Sequence, residues 1–157
     1  MNEVTIRKAT PADIAKLLVF EQAVVEAERP YDPTLKESDA FYYDLNKMIR
    51  APDIEFVLAI VDQKIIGSGY ARIEKAKPYN DHTEYAYLGF MYLDPEYRGK
   101  GINQMIIRHL KQWALSKNLT EIRLEVYHDN ERAVKAYEKE GFKKLITLMR
   151  VNLNDRE

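Results

Sequence analysis

One segment of the sequence restricts the fold more than the rest of the chain does. Residues 85–93 form a nearly unbroken apolar run of strand length, which is typical of a strand covered on both faces of its sheet. A glycine-containing turn follows, and from Ile102 onward the apolar residues recur with helical spacing: Ile102, Met105, Ile106, His109, Leu110 and Trp113. We therefore expect a central strand, a tight turn and an amphipathic helix, in that order.

The other segments alternate between strand and helix patterns. Thr10 and Pro11 provide an N-cap and a first helical residue, and Gly141 ends a later helix. The predicted strands are residues 4–8, 55–61, 65–73, 85–93, 121–127 and 142–153, and the predicted helices run from Pro11 to before Pro30, from 38 to 49, from Ile102, and from 130 to 140. This order predicts a mixed α/β (α+β) fold in a single domain, residues 1–157, with about six strands and about four helices.

Composition excludes several classes of protein. The 157 residues contain no cysteine, so there is no disulfide, no thiol nucleophile and no cysteine-ligated metal. Lysine and arginine number 24 against 25 acidic residues, and a formal net charge of −1 argues against a nucleic-acid-binding protein. No apolar stretch approaches the ~18 residues of a membrane span, and the polar N-terminus does not resemble a signal peptide. We expect no membrane contact and a cytoplasmic location.

The turn between the central strand and the following helix is a candidate anion site. Its sequence is Asp94-Pro95-Glu96-Tyr97-Arg98-Gly99-Lys100-Gly101-Ile102, and a helix that begins after two glycines directs backbone N–H groups and its positive end at one point. Residues 98–117 contain five basic and no acidic residues. This pattern suits a pyrophosphate; a tight turn followed by a solvated basic face is the alternative. It matches neither the P-loop nor the dinucleotide fingerprint.

A second motif lies downstream, and the two motifs together resemble the GNAT superfamily of acyl-CoA-dependent N-acetyltransferases. The resemblance depends on Arg98-Gly99-Lys100-Gly101-Ile102, on Asn130 followed by Ala133 and Tyr137, and on Gly141-Phe142, in this order and at this separation. It covers residues 85–142, whereas the first third of the chain matches only in the order of its elements. A GNAT-like fold implies central strands that splay apart to admit the cofactor.

The resemblance implies acetyl-CoA as the acetyl donor. Its pantetheine arm is expected along the backbone of Met91, Tyr92 and Leu93 and against Asn130. Its pyrophosphate is expected near Arg98, Gly99, Lys100, Gly101, Ile102, Asn103 and Gln104. The family pattern has glycine or alanine where this chain has Asn103. Asparagine keeps the backbone N–H that a phosphate needs, so contact with the phosphate is still expected. No metal is expected, because the three histidines are not at metal-ligand spacing.

Two residues are candidates for proton transfer. The amine must lose a proton before it attacks the thioester, and the departing thiolate must gain one. By resemblance Tyr137 is the acid that protonates the sulfur; packing as a core aromatic is the alternative. Glu125 resembles the glutamate that some family members use as a base, directly or through water. An outward-facing strand residue is the alternative for Glu125.

The first half of the chain is acidic and provides candidates for acceptor binding. Residues 21–60 contain nine acidic and four basic residues. If this region flanks the acceptor cleft, as it does in the family, it attracts a cationic amine, and Glu28, Tyr31 and Asp32 are near the entrance. The alternative is two solvated helices.

These observations predict an N-acetyltransferase that moves acetyl from acetyl-CoA to a primary amine of a small molecule or peptide, by direct attack in a ternary complex. A non-catalytic acyl-CoA-binding sensor or interaction module of the same fold is the alternative. The sequence does not identify the acceptor, and it leaves a homodimer open, because the last strand could pair across two copies.

Overall fold

A five-stranded mixed sheet organises the structure, a computed structural model that describes residues 2–154. The strands are β1 (Val4–Lys8), β2 (Ile54–Val61), β3 (Lys64–Lys75), β4 (Glu84–Leu93) and β5 (Ile122–Leu124). They lie in the order β1-β2-β3-β4-β5; the first three pairings are antiparallel and β4–β5 is parallel. The predicted mixed α/β fold is confirmed, with five strands in the described residues where about six were expected.

Four α-helices connect or follow the strands, as predicted. They are α1 (Ile14–Glu28), α2 (Leu45–Arg50), α3 (Ile102–Ser116) and α4 (Glu131–Lys139). A short 3-10 turn, Pro11–Asp13, precedes α1, and the Asp13 carboxylate accepts a hydrogen bond of 2.8 Å from the backbone N–H of Thr10. In residues 2–154 no helix has both the length and the apolar character needed to span a bilayer.

The second helix is shorter than the predicted 38–49, because the chain before it is attached to α1. The backbone N–H groups of Tyr42 and Tyr43 each donate to the carboxylate of the buried Glu21 of α1 at 2.8 Å. These N–H groups are therefore not available for helical hydrogen bonds. The helix begins after Asp44, whose side chain accepts from the N–H of Lys47 at 3.2 Å.

The predictions for the last two strands were partly wrong. The predicted strand 121–127 is paired only over Ile122–Leu124, and the predicted strand 142–153 pairs with no strand in the described part of the chain. Alternating apolar residues favour extended backbone, but a strand also needs a neighbouring ladder, which the local sequence does not supply. This missing ladder accounts for five strands instead of six.

The contacts within the chain define two units, Met1–Glu125 and Val126–Glu157, which are described separately. In the first unit the sheet carries helices on both faces. A Cβ at Gly69 would lie 2.7 Å from Ile106 of α3, whereas the next residue, Tyr70, packs on the other face with Phe20 of α1 and Leu45 of α2. The apolar run 85–93 thus forms an inner strand, as expected. The prediction of a single domain stays a prediction.

Candidate functional site

A distortion in β4 lies at the centre of the candidate site. Phe90 has a positive φ of 50°, and the register between β3 and β4 shifts between Ser68 and Tyr70. The buried Ser68 hydroxyl donates to the Phe90 carbonyl at 2.9 Å and so satisfies an acceptor that the ladder leaves out. A bulge of this kind changes the direction of the residues that follow it.

Beyond this bulge β4 has only one strand neighbour. Its pairing with β5 ends at Leu88 opposite Leu124, while Tyr92 and Leu93 still pair with β3. In residues 2–154 no strand pairs with the β5-facing edge of β4 after Leu88, so Met91, Tyr92 and Leu93 have a strand neighbour on the β3 side only. These are the three residues expected beside the pantetheine arm. The Tyr92 side chain packs on the Phe20 ring with 4.4 Å between centroids.

The turn after β4 is open at both glycines. Gly99 and Gly101 have φ values of 76° and 80°, in the left-handed region that disfavours other residues. A Cβ at Gly99 would have no atom within 4 Å, and one at Gly101 would meet only the Gln104 side chain at 4.0 Å. The space beside these glycines is therefore a cradle that added side chains would fill.

The first turn of α3 supplies N–H donors to this cradle. Gly101 is the N-cap and has no side chain to accept from the helix, whose hydrogen bonds begin with Met105 N–H to the Gly101 carbonyl at 3.3 Å. Ile102 is buried, and so can offer a ligand its backbone only, whereas Asn103 and Gln104 are half-buried. Uncapped N–H groups at a helix N-terminus suit a phosphate.

Three cationic side chains surround the turn, one of which the sequence prediction missed. Arg98 donates from Nε to the Leu93 carbonyl at 3.0 Å and thus ties the turn to the end of β4. Lys100 and Lys64 place their ammonium groups 5.5 and 5.7 Å from the centre of the Tyr97 ring. A hydrogen bond of 3.0 Å to Glu96 holds the pKa of Lys64 above its usual value. Lys64 begins β3, and only the sheet brings it to this turn.

An aromatic cluster lies on the sheet face that carries α1 and α2. Tyr43 stacks on Phe90 at 4.6 Å, nearly parallel, and meets Tyr70 edge-on at 5.9 Å. Gly89 makes room for the Tyr70 phenol, because a Cβ there would collide with it. Burial raises the pKa of Tyr43, Tyr70 and Tyr87, so these phenols stay neutral and can donate hydrogen bonds over the physiological range.

Charged groups of both signs border this aromatic cluster. The Arg72 guanidinium lies 5.6 Å from the Tyr70 ring centre and 5.2 Å from that of Tyr87, and pairs with Glu74. The exposed Glu125 follows β5, and its charge contributes to the raised pKa of Tyr87 and Tyr70. Glu28 acts in the same way on Tyr43. Glu125 and Glu28 therefore both lie within electrostatic range of this cluster.

The acceptor residues expected from the sequence lie at the end of α1. Burial raises the pKa of Glu28; a hydrogen bond from Tyr42 opposes that shift, and the charge of Asp32 adds to it. The N–H groups of Tyr31 and Asp32 both donate to the Glu28 carbonyl, at 2.9 and 3.1 Å. The Asp32 carboxylate accepts from the Thr34 N–H at 2.9 Å, so one role of Asp32 is to stabilise its own turn.

The second unit holds Asn130 and Tyr137. Asn130 is the N-cap of α4, where its side-chain oxygen accepts from the Ala133 N–H at 3.3 Å. Tyr137 is half-buried, and its ring meets that of Phe142 edge-on at 5.9 Å. The grouping of Asn130 and Tyr137 with the residues of the first unit stays a prediction.

Several residues of the site could not be recognised from the sequence. Tyr70, Arg72 and Glu74 are spaced two residues apart in β3, so the sequence predicts that they share one face of the sheet. It does not predict which side chains of other elements lie against that face. Tyr43 and Lys64 carried no signal. His109, one of the residues with helical spacing after Ile102, has its Nε2 3.0 Å from a carboxylate oxygen of the buried Glu55. No group of three potential metal ligands occurs in residues 2–154.

Comparison with known proteins finds acetyltransferases. Streptothricin acetyltransferase of Escherichia coli is 36% identical over 84 residues, which are 54% of this chain and 44% of that protein. The chain thus matches less than half the length of that relative, and 32% of the next, a bovine thialysine N-epsilon-acetyltransferase. The N-alpha-acetyltransferase RimI of Mycobacterium tuberculosis is 28% identical over 145 residues, 90% of this chain and 80% of that protein.

Solved structures share the fold. A mutant of the BH1408 protein from Bacillus halodurans aligns with a TM-score of 0.86 at 19% identity, covering 95% of this chain and 99% of that one. A protein of Clostridium acetobutylicum described as a predicted acetyltransferase and crystallised with acetyl-CoA aligns with a TM-score of 0.72 at 22% identity, covering 96% of this chain and 97% of that one. The sequence model of the Acetyltransferase (GNAT) family matches residues 21–142, which include the bulged strand, the glycine turn, Asn130 and Tyr137. The chain therefore belongs to the GNAT family of acetyltransferases.

Proposed function

We propose that the protein transfers the acetyl group of acetyl-CoA to a primary amine, by direct attack of the amine within a ternary complex. The observation that carries this proposal is the end of β4, which β5 does not pair and which leads into the open cradle of Gly99 and Gly101. An extended arm that ends in a pyrophosphate suits strand backbone without a neighbour on one side, followed by a helix N-terminus. Membership of the GNAT family supports the choice of acetyl-CoA for that arm.

Each part of the donor is assigned a set of residues in this proposal. The backbone groups of Met91, Tyr92 and Leu93 hold the pantetheine arm, together with Asn130. The pyrophosphate accepts from N–H groups at the start of α3, and the charges of Arg98 and Lys100 favour its binding. The residues of this phosphate subsite are Arg98, Gly99, Lys100, Gly101, Ile102, Asn103 and Gln104.

The proposed chemistry needs one base and one acid. Glu125, directly or through a water, takes a proton from the attacking amine. A C–N bond forms at the thioester carbonyl, the C–S bond breaks, the nitrogen of the new amide gives its second proton to solvent, and Tyr137 gives its phenolic proton to the leaving thiolate. Solvent then restores both residues, by removing the proton from Glu125 and supplying one to Tyr137. No covalent bond to the protein forms.

The acceptor is proposed to bind on the face that carries Tyr43, Tyr70 and Tyr87. Glu28 and Glu125 lie within electrostatic range of these rings, so the face combines neutral phenols with carboxylates and suits a cationic amine on a small molecule or peptide. The names of two relatives, a streptothricin acetyltransferase and an N-alpha-acetyltransferase, fit an amine acceptor. Tyr31 and Asp32 are assigned to the entrance. A cytoplasmic location fits a chain without cysteine.

Acetyl-CoA is expected to stabilise the protein against heat. At a ligand concentration 100 times Kd, binding to the native state contributes about 2.7 kcal/mol, which raises Tm by about 5–10 °C for a chain of this size. A thermal melt at increasing acetyl-CoA concentration measures this shift, with adenosine as the control that lacks the pyrophosphate. No shift at saturating acetyl-CoA would contradict both the enzyme and a non-catalytic CoA-binding module. A shift without release of CoA thiol in a panel of amines would favour the module.

Replacing Glu28 with Gln is expected to raise the KM of a cationic amine about 3–10-fold, with the KM of acetyl-CoA unchanged, because one carboxylate near the phenols is lost. Burial raises the pKa of Glu28, so its charge is present above that raised pKa and is lost as the pH falls through it. The amine KM of the native protein should therefore rise on acidification at a higher pH than an exposed glutamate would cause. Steady-state kinetics across pH test this, with the exposed Glu37 changed to Gln as the control. Equal effects of the two substitutions would argue against the assignment.

A further inference from the structure

We propose that the acceptor carries a carboxylate as well as the primary amine, and that the guanidinium of Arg72 binds this carboxylate. The assignment rests on the proposed function, because it concerns the face to which the acceptor is assigned, and it names the class of acceptor: amino acids and short peptides with a free carboxylate. It begins from a half-buried cation on a face that otherwise offers phenols and carboxylates.

Arg72 lies beside the phenols of this face. It follows Tyr70 by two residues in β3, so the two side chains are on the same side of the sheet, and it is the ladder partner of Tyr87 in β4. Its guanidinium carbon is 5.6 Å from the centre of the Tyr70 ring and 5.2 Å from that of the Tyr87 ring. A ligand bound against these two rings therefore meets a positive charge.

The guanidinium keeps N–H donors for a ligand. In the described residues its partners are the Glu74 carboxylate, which accepts from Nε, and the Tyr70 phenol. These partners leave most of the N–H groups on the two Nη atoms, which form the planar fork that holds a carboxylate in bidentate geometry. The Arg72 side chain is 35% exposed, so a ligand can reach this fork from solvent.

The charges around the rings have both signs. Burial raises the pKa of Tyr87, and the nearby charge of Glu125 adds to this shift. Glu28 adds in the same way to the raised pKa of the buried Tyr43. The two carboxylates attract an ammonium group, whereas Arg72 repels it and attracts an anion. An acceptor with an ammonium and a carboxylate satisfies both signs, and a purely cationic one does not.

The spacing along β3 fits a small zwitterion. Residues two apart in a strand are about 6.5–7 Å apart, so Arg72 lies at this distance from Tyr70 along the strand. One to two residues of extended chain cover about 3.5–7 Å. The amine and the carboxylate of an amino acid or a dipeptide can therefore reach the phenols and the guanidinium at the same time.

Paired acceptors test the assignment, with release of CoA thiol as the measurement. The panel contains the standard L-amino acids and their carboxamides, so the members of a pair differ in the carboxylate, and rates are expressed per unprotonated amine. For the best pair, the native protein should show a kcat/KM about 10–100-fold higher with the acid than with the amide, the range of a charge-assisted hydrogen bond. Arg72→Gln should reduce this preference to at most a few fold, mainly by raising the KM of the acid.

Two further variants separate binding of the carboxylate from a purely structural role. Arg123→Gln is the matched control: Arg123 is 31% exposed and its Nε donates to Glu121 at 3.0 Å, but its guanidinium lies over Tyr85, so the preference should remain. Arg72→Lys keeps the charge without the fork and should retain part of the preference; it replaces Arg72→Gln if that variant does not fold. A structural role would instead lower the activity with acid and amide equally.

The outcomes distinguish this assignment from the proposed function. Amides that react as well as acids in the native protein, turnover only of amines without a carboxylate, or a preference that survives in Arg72→Gln would each overturn the role of Arg72. In these cases the acetyl transfer itself still stands. Absence of thiol release with every amine tested would contradict the proposed function, and the acceptor class with it.

Discussion

Tyr137→Phe is expected to lower kcat about 10²–10⁴-fold while leaving the affinity for acetyl-CoA within a few fold of the native value. The substitution removes one phenolic oxygen and its proton, and loss of a general acid typically has an effect of this size. The ring remains, so its edge contact with Phe142 at 5.9 Å is retained and the free energy of unfolding should change by less than about 1 kcal/mol. Single-turnover kinetics of CoA thiol release, with a separate measurement of acetyl-CoA binding, distinguish the two effects.

Two further variants separate the phenolic proton from the packing of the ring. Tyr137→Leu loses both and should lower kcat and stability together, whereas Tyr79→Phe alters a highly exposed phenol between β3 and β4 and should change neither. A general acid also makes the rate less sensitive to the leaving thiol, so Tyr137→Phe should be most impaired with a donor whose thiol has a high pKa. Native kcat in Tyr137→Phe would show that another group or water protonates the sulfur, and the acid assignment would be withdrawn.

Gly101→Val is expected to weaken acetyl-CoA binding about 100-fold or more. The backbone at residue 101 has a φ of 80°, which a β-branched residue adopts only with strain, and the new side chain extends into the open space beside the turn. If the residue instead shifts to a relaxed φ, the first N–H groups of α3 turn away from the proposed phosphate. Calorimetric titration with acetyl-CoA measures the loss, and a thermal melt without ligand measures the strain.

Gly141→Val is the matched control for this second prediction. Gly141 also has a positive φ, 93°, and a Cβ there would likewise meet no atom within 4 Å. Both variants therefore carry a similar backbone strain, about 1–3 kcal/mol, but only Gly101 lies at the start of α3. An equal loss of affinity in the two variants would mean that strain, and not the phosphate subsite, is responsible. Unchanged affinity in Gly101→Val would remove the turn from the proposed donor site.

The agreement between sequence and structure is closest where a segment carries its own signal. The helix after Pro11, the successive strands β2 and β3, the inner strand β4 and the helix from Ile102 all occur where the pattern predicts them. Each has a local cause, such as a helix start at proline, an apolar run of strand length, or apolar residues with period 3.6. The glycine turn after β4 and the helix α3 likewise agree with the prediction, because the turn, its glycines and the helix are consecutive in the chain.

Agreement is weakest where residues from distant segments meet. The helix predicted from residue 38 starts at Leu45, because Glu21 in the preceding helix α1 accepts the N–H groups of Tyr42 and Tyr43. The aromatic cluster with Tyr43 and Tyr70, and Lys64 beside Tyr97, likewise join residues far apart in the sequence. No alternation or spacing within one segment predicts such a neighbour.

The sequence alone was enough to predict the mixed α/β fold, the glycine turn before the helix from Ile102 and the GNAT resemblance. These follow from the spacing of apolar residues and from motifs within continuous segments. Only the tertiary structure decided where β4 and β5 stop pairing, which side chains form the aromatic cluster, and that the strand-like residues 143–153 have no ladder in the described chain. The physical reason is that backbone conformation is largely a local property, whereas strand pairing and electrostatic environment depend on which segments come together in space.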